Sequence, residues 1–284
     1  MCIVTEDKEK NVFYNYKKRA VLLAMGAICG FMLFVSLDEA YGAQPESDVP
    51  PQELVEDANL YRAEFSSTNG CIGYCEFLEN ADVEGKTSLV LVMHGMSNCG
   101  NDNLKQLASP AVKPLIDFLR LWKIKALVLV PQCPSATGWV RTSDPPVLKI
   151  VHDLVTVKRR RYRIDSQHSI ITGFSMGGGG CYFYMMQHSG VFGKAIVVGA
   201  GGLVSWASKL HGEFYIAVGT EDQYSSVDDA ETLAAAISRN NNVRFERLEG
   251  VDHIESATIV YSGDCWEWAF GLNATEMGTR IIIR

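Results

Sequence analysis

The chain has 284 residues, 47% of them hydrophobic and 21% charged, a profile that suits one large globular domain. Its formal net charge of −7 argues against a surface built for nucleic acid or an anionic bilayer, because neutralising phosphates needs clustered Lys and Arg.

The N-terminus has a composition of its own. Lys17-Lys18-Arg19 leads into Ala20 to Leu37, AVLLAMGAICGFMLFVSL, which carries no charge, and a small-residue site follows at Ala40-x-Gly42. That order is a signal-peptide pattern, and the apolar run is also long enough to serve as an uncleaved membrane anchor. Residues 1–43 are therefore expected to direct export to the periplasm or the exterior, as a cleaved signal or as a membrane attachment. Residues 44–57 are rich in Pro and acid and read as a linker. The folded domain is expected over 58–284.

Within that domain, NLYRAEFS and CIGYCEFL flank Asn69-Gly70, a hairpin signal. Six short apolar runs follow, at 88–93, 126–131, 169–173, 194–199, 214–218 and 243–248. Runs of this kind predict parallel strands covered on both faces. Helical spacing lies between them at 111–122, 147–160, 179–188 and 227–240. The alternation predicts an α/β fold, a mostly parallel, doubly wound sheet with an antiparallel N-terminal hairpin. The basic run Lys158-Arg159-Arg160-Arg161-Tyr162-Arg163 closes one of these helices and reads as cations at a helix C-terminus. Of the eight cysteines, six lie beyond the apolar run. Export would permit disulfides, but sequence leaves their connectivity open. The spacing of Cys and His matches no zinc pattern, and no metal or other cofactor is expected.

In a doubly wound sheet the chemistry gathers just beyond the carboxyl ends of the strands. The run at 169–173 ends in Gly173-Phe174-Ser175-Met176-Gly177, a G-x-S-x-G motif between a strand and a helix. Glycines on either side of one serine allow a sharp turn that exposes a nucleophile. A phosphate-binding loop would need a Lys after the glycines, and none follows. A neutral serine needs a base, and the base needs an orienting acid. Of the six histidines, only His253 follows the last strand. Asp222 follows an intervening strand, with Glu221 and Asp228 as neighbouring competitors. Backbone N–H groups of Met176, directly after the serine, and Met96, after the first buried strand, are the expected oxyanion donors. His94 reads as a brace for the turn that carries Met96. Trp139, on the loop after the second buried strand, reads equally as a substrate contact and as a buried anchor.

The segments LVLVMHGMSNCGNDNLKQL, ALVLVPQCPSATGWV, YRIDSQHSIITGFSMGGGG and GVDHIES resemble the bacterial "predicted peptidase" branch of the α/β-hydrolases. That branch is related to dienelactone-hydrolase-like and polyhydroxybutyrate-depolymerase-like esterases, and the resemblance covers residues 58 to about 270. It implies an α/β-hydrolase fold with a Ser175, Asp222 and His253 triad in that chain order, and oxyanion donors on Met96 and Met176. It assigns Asn101-Asp102-Asn103 to bracing the His94-Gly95 turn. The unbroken glycine run and the Val251-Asp252 insert before His253 depart from the branch. The implied activity is hydrolysis of a small-molecule ester by a serine hydrolase of carboxylesterase type. A serine peptidase of prolyl-oligopeptidase-like type and a non-catalytic hydrolase-like binding protein are the alternatives.

Overall fold

A computed structural model describes residues 49–134, 138–139 and 147–272. The expected export segment and residues 44–48 of the linker lie outside the described residues. Among the described residues, no helix is long and apolar enough to cross a membrane.

Eight strands form one sheet in the order β1-β2-β4-β3-β5-β6-β7-β8. They are β1 (Leu60–Ser67), β2 (Gly70–Glu79), β3 (Ser88–Met93), β4 (Ala126–Pro131), β5 (Ser169–Phe174), β6 (Lys194–Val198), β7 (Glu213–Gly219) and β8 (Val243–Leu248). The β1–β2 hairpin is antiparallel and joins β4 antiparallel; every pairing from β4 to β8 is parallel. This is the mixed sheet that the apolar runs predict.

Alternation within each run explains the layers. In SLVLVM, Leu89, Leu91 and Met93 join one apolar cluster while Val90 and Val92 join the other. Side chains on a strand point alternately to opposite faces, so a run that is apolar throughout feeds two cores at once. One face is covered by α3 (Val147–Tyr162), α4 (Met176–Gln187) and α5 (Val227–Ile237). The other is covered by α2 (Val112–Trp122), α6 (His253–Ser262) and α7 (Cys265–Phe270). The two edge strands are less buried. On β8, Arg244 pairs with Glu246 and Asp264, and Arg247 with Asp228, Glu231 and Glu249. Charges on an edge strand discourage further pairing.

Packed structure begins earlier than the linker reading. The single turn α1 (Gln52–Val55) buries Leu54, and Asp57 accepts from Arg120 at 2.6 Å. Arg120 also bonds Glu79, whose carboxylate is almost wholly buried, so α2 clasps both the lead-in and β2. Lys158 stands one residue before the last turn of α3, where Arg159, Arg160 and Arg161 are the helix-end cations. It is buried against Glu76 of β2, with its ammonium over the Tyr74 ring. Between α3 and α4, the imidazoles of His152 and His188 stack face to face, 3.7 Å between centroids and 4° from parallel.

Candidate active site

The strand order reverses at β3, which pairs with β4 on one side and β5 on the other. The chain leaves β3 toward one edge and returns to lay β5 beside it, which opens a crevice beyond their carboxyl ends. Met93 and Gly173 are register partners there, so Met96 and Ser175 emerge from neighbouring strands within two or three residues of a shared point.

Ser175 links β5 to α4 with φ 56° and ψ −121°. That combination belongs to glycine at the first central position of a tight turn, and in serine it stores strain of about 1–3 kcal/mol. Hydrogen bonds hold it: Ser175 N–H donates to Val198 O at 2.9 Å, and Gly179 N–H donates to Ser175 O at 3.1 Å. The flanking glycines supply clearance. A Cβ on Gly173 would lie 2.4 Å from the Gly177 backbone, and one on Gly177 would lie 1.9 Å from Met93 O. Strand, elbow and helix therefore touch backbone to backbone. The helix begins at Met176, earlier than residue 179, because this contact overrides the poor helical propensity of four successive glycines.

His253 is the first residue of α6, and its Nδ1 lies 2.7 Å from Asp222 Oδ2. An ionised carboxylate can only accept, so Nδ1 carries a proton, and in the neutral ring Nε2 then keeps its lone pair. Asp222 Oδ1 accepts the N–H groups of Tyr224 and Ser225 at 2.8 and 2.9 Å, and its side chain is fully buried. Ser225 Oγ in turn donates to Gly199 O at 2.7 Å, tying the loop after β7 to the one after β6. The imidazole contacts the rings of Phe174 and Tyr224, at 4.6 and 4.7 Å between centroids. Phe174 is the residue before Ser175, so the base packs directly against the elbow. Asp252 caps α6 by accepting from Glu255 N–H at 2.8 Å. Ser175 Oγ and His253 Nε2 make no hydrogen bond among the described residues.

The two expected oxyanion donors stand at helix starts. Met176 opens α4 and Met96 opens a short 3-10 turn, Met96–Asn98. First-turn N–H groups have no partner within their own helix, which leaves both able to receive an oxygen. The neighbouring His94 is wholly buried. Its Nδ1–H donates to Gly95 O at 2.6 Å and its Nε2 accepts from Cys133 N–H at 2.9 Å. This neutral tautomer pins the turn after β3 to the end of β4. Asp102 and Asn103 act on the same turn less directly. Gln132 donates to Asp102 and to Asn98 O and accepts from Asn103 N–H, while Asn103 Nδ2 reaches Ala63 O and Tyr74 O. Trp139 is 1% exposed and donates its indole N–H to His94 O at 2.9 Å. Of its two readings, this position is that of the buried anchor. Among the described residues, no cluster of three or more His, Cys, Asp or Glu is placed to hold a metal ion.

Burial lowers the His94 imidazole to about 4, and burial together with His152 lowers that of His188 to about 4, from an ordinary 6.5. Protonating His94 would also turn its Nε2 into a donor facing the Cys133 N–H. A folded-state value below the unfolded one gives stability that is complete above pH 6.5 and lost as pH falls toward 4. At about 1.4 kcal/mol per unit, His94 alone contributes about 3 kcal/mol. Tm measured by circular dichroism is therefore expected to drop by about 5–10 °C between pH 7 and 4.5, and less in His188→Gln.

In sequence, the chain matches no family model and no curated protein. In structure it is similar to a thermostable esterase, 24% identical with a TM-score of 0.67, over 75% of this chain and 63% of that one. It thus spans less than two thirds of that esterase. A ferulic acid esterase is 17% identical with a TM-score of 0.59, over 74% of this chain and 96% of that one. An acylaminoacyl peptidase from Pyrococcus horikoshii is 11% identical with a TM-score of 0.53, over 70% of this chain and 39% of that one. With the strand order and the elbow, these likenesses define the chain as a protein of the α/β-hydrolase fold.

Proposed function

We propose that the chain is a serine hydrolase that cleaves a small-molecule ester through an acyl-enzyme, with Ser175, His253 and Asp222 as its triad. The observation that carries this reading is the His253–Asp222 pair at 2.7 Å, packed through Phe174 against a strained serine elbow. His253 Nε2 takes the Ser175 hydroxyl proton as Oγ bonds the carbonyl carbon, then passes it to the departing alcohol. Water repeats the cycle: its proton goes to Nε2, its oxygen takes the acyl group, and the proton returns to Ser175. The reading requires Oγ and Nε2 to meet in the substrate complex, where catalytic hydrogen bonds tighten. The N–H groups of Met96 and Met176 receive the oxyanion, each such donor being worth about 2.7–4 kcal/mol of barrier.

The resemblance of the motif blocks to the "predicted peptidase" and dienelactone-hydrolase-like esterases supports the ester reading over that of a peptidase with a gating domain. The basic-flanked apolar N-terminus supports export, with or without membrane attachment. A fluorophosphonate probe tests the mechanism. One equivalent of label is expected on the wild type and none on folded Ser175→Ala, alongside loss of turnover on p-nitrophenyl esters of graded chain length. A folded wild type that neither labels nor turns over any ester would make this a binding protein.

A further inference from the structure

Resting on that hydrolase reading, we infer that the enzyme takes uncharged esters of apolar alcohols, with Tyr224 receiving the alcohol portion and the acidic loops beside it turning anionic esters away. Two independent features of the site edge carry this.

The first is where apolar surface stays exposed. Nine large hydrophobic side chains are exposed among the described residues, and four of them, Met96, Leu203, Val204 and Tyr224, lie on the segments after β3, β6 and β7. Of these strands, β3 and β6 flank β5, whose end carries Ser175, and β7 lies one strand further out. Apolar surface left exposed on the loops at this end of the sheet is area that a substrate can cover, at roughly 25 cal/mol per Å². Tyr224 is the best placed of the four. Its backbone N–H holds Asp222, and its ring meets the His253 imidazole edge to face at 4.7 Å, yet 38% of the residue stays exposed. His253 is the group that must hand a proton to the leaving alcohol. In this proposal the leaving alcohol sits beside the ring that lies against this imidazole.

The second feature is charge. Glu221 and Asp252 are exposed and stand one residue from Asp222 and His253 respectively, and Glu255 is exposed one turn along α6. The two loops are joined, since Glu221 N–H donates to Val251 O at 3.1 Å. The segments 220–226 and 249–255 contain no Lys or Arg. A carboxylate on the alcohol portion would enter beside like charges on these two segments, a repulsion that salt screens over about 10 Å at 0.1 M.

Three acetates with matched acyl groups test the proposal: ethyl acetate, benzyl acetate and 4-(acetoxymethyl)benzoate. At low salt, kcat/KM is expected to be at least about 10-fold higher for benzyl than for ethyl acetate. The anionic ester should fall at least about 10-fold below benzyl acetate, and this gap should narrow in 0.5 M NaCl and in Glu221→Gln. Tyr224→Ala should bring the benzyl-to-ethyl ratio to within about 2-fold of one, mainly through KM for the benzyl ester, while Tyr224→Phe keeps the wild-type ratio. An unchanged ratio in Tyr224→Ala, or turnover of the anionic ester equal to that of benzyl acetate, would overturn the proposal and leave the hydrolase intact. Failure to hydrolyse any ester, with no probe labelling of Ser175, would overturn both.

Discussion

Replacing Asp222 with Asn is expected to lower kcat for ester hydrolysis by about 10⁴-fold while leaving Tm within a few degrees of wild type. The reason lies in the donors around the buried carboxylate. Oδ1 already accepts the N–H groups of Tyr224 and Ser225, so the amide oxygen of Asn must take that place. The amide nitrogen then faces His253 Nδ1 and donates to it. An imidazole that accepts at Nδ1 carries its proton on Nε2, where the proposed triad requires a lone pair for the Ser175 hydroxyl. Both loops keep their hydrogen bonds, which is why stability survives and chemistry does not. Steady-state kinetics on p-nitrophenyl acetate, paired with thermal melts, makes the check. A loss of less than 10-fold would remove Asp222 from its role.

The second large effect is on stability and changes sign within two residues. Gly177→Ala is expected to cost about 3–5 kcal/mol, because its Cβ would sit 1.9 Å from Met93 O and 2.8 Å from His94 O. Both obstacles are backbone, so no rotamer change relieves them; the elbow must part from β3 and from the turn that carries Met96. Gly179→Ala is expected to stabilise by about 0.5–1 kcal/mol. It lies inside α4, and a Cβ there would find no atom within 4 Å. Urea melts of the two variants beside wild type separate the outcomes, and equal effects would refute the contact geometry of the elbow.

Much of this architecture was legible because burial on both faces writes itself into the chain as unbroken apolar runs. The strands at 88–93, 126–131 and 243–248 end where the runs end. The serine elbow was legible for a related reason, since its backbone contacts admit only glycine at 173 and 177. What escaped was set by distant partners. Lys158 belongs to a basic run locally, and only the fold brings Glu76 to it. Leu54 and Asp57 read as linker because their counterparts, the apolar cluster and Arg120, lie far along the chain. The helices α6 and α7 also went unread, although Asp252 and Glu255 have the spacing of a capping box and could have marked where α6 starts. His253 was singled out by its place after a strand, yet it is this cap that fixes where its side chain begins.

The sheet has one consequence beyond the site. It acts as a wall between two apolar layers, one lined by Leu115 and Leu119, the other by Leu154 and Ile237. Close-packed interiors relax only locally, so a void opened on one side draws no filling from the other. Damage is confined to its own compartment and losses in the two simply add. The loops at the rim are tied to strand ends that belong to both compartments, so Ser175, Asp222 and His253 answer to each of them.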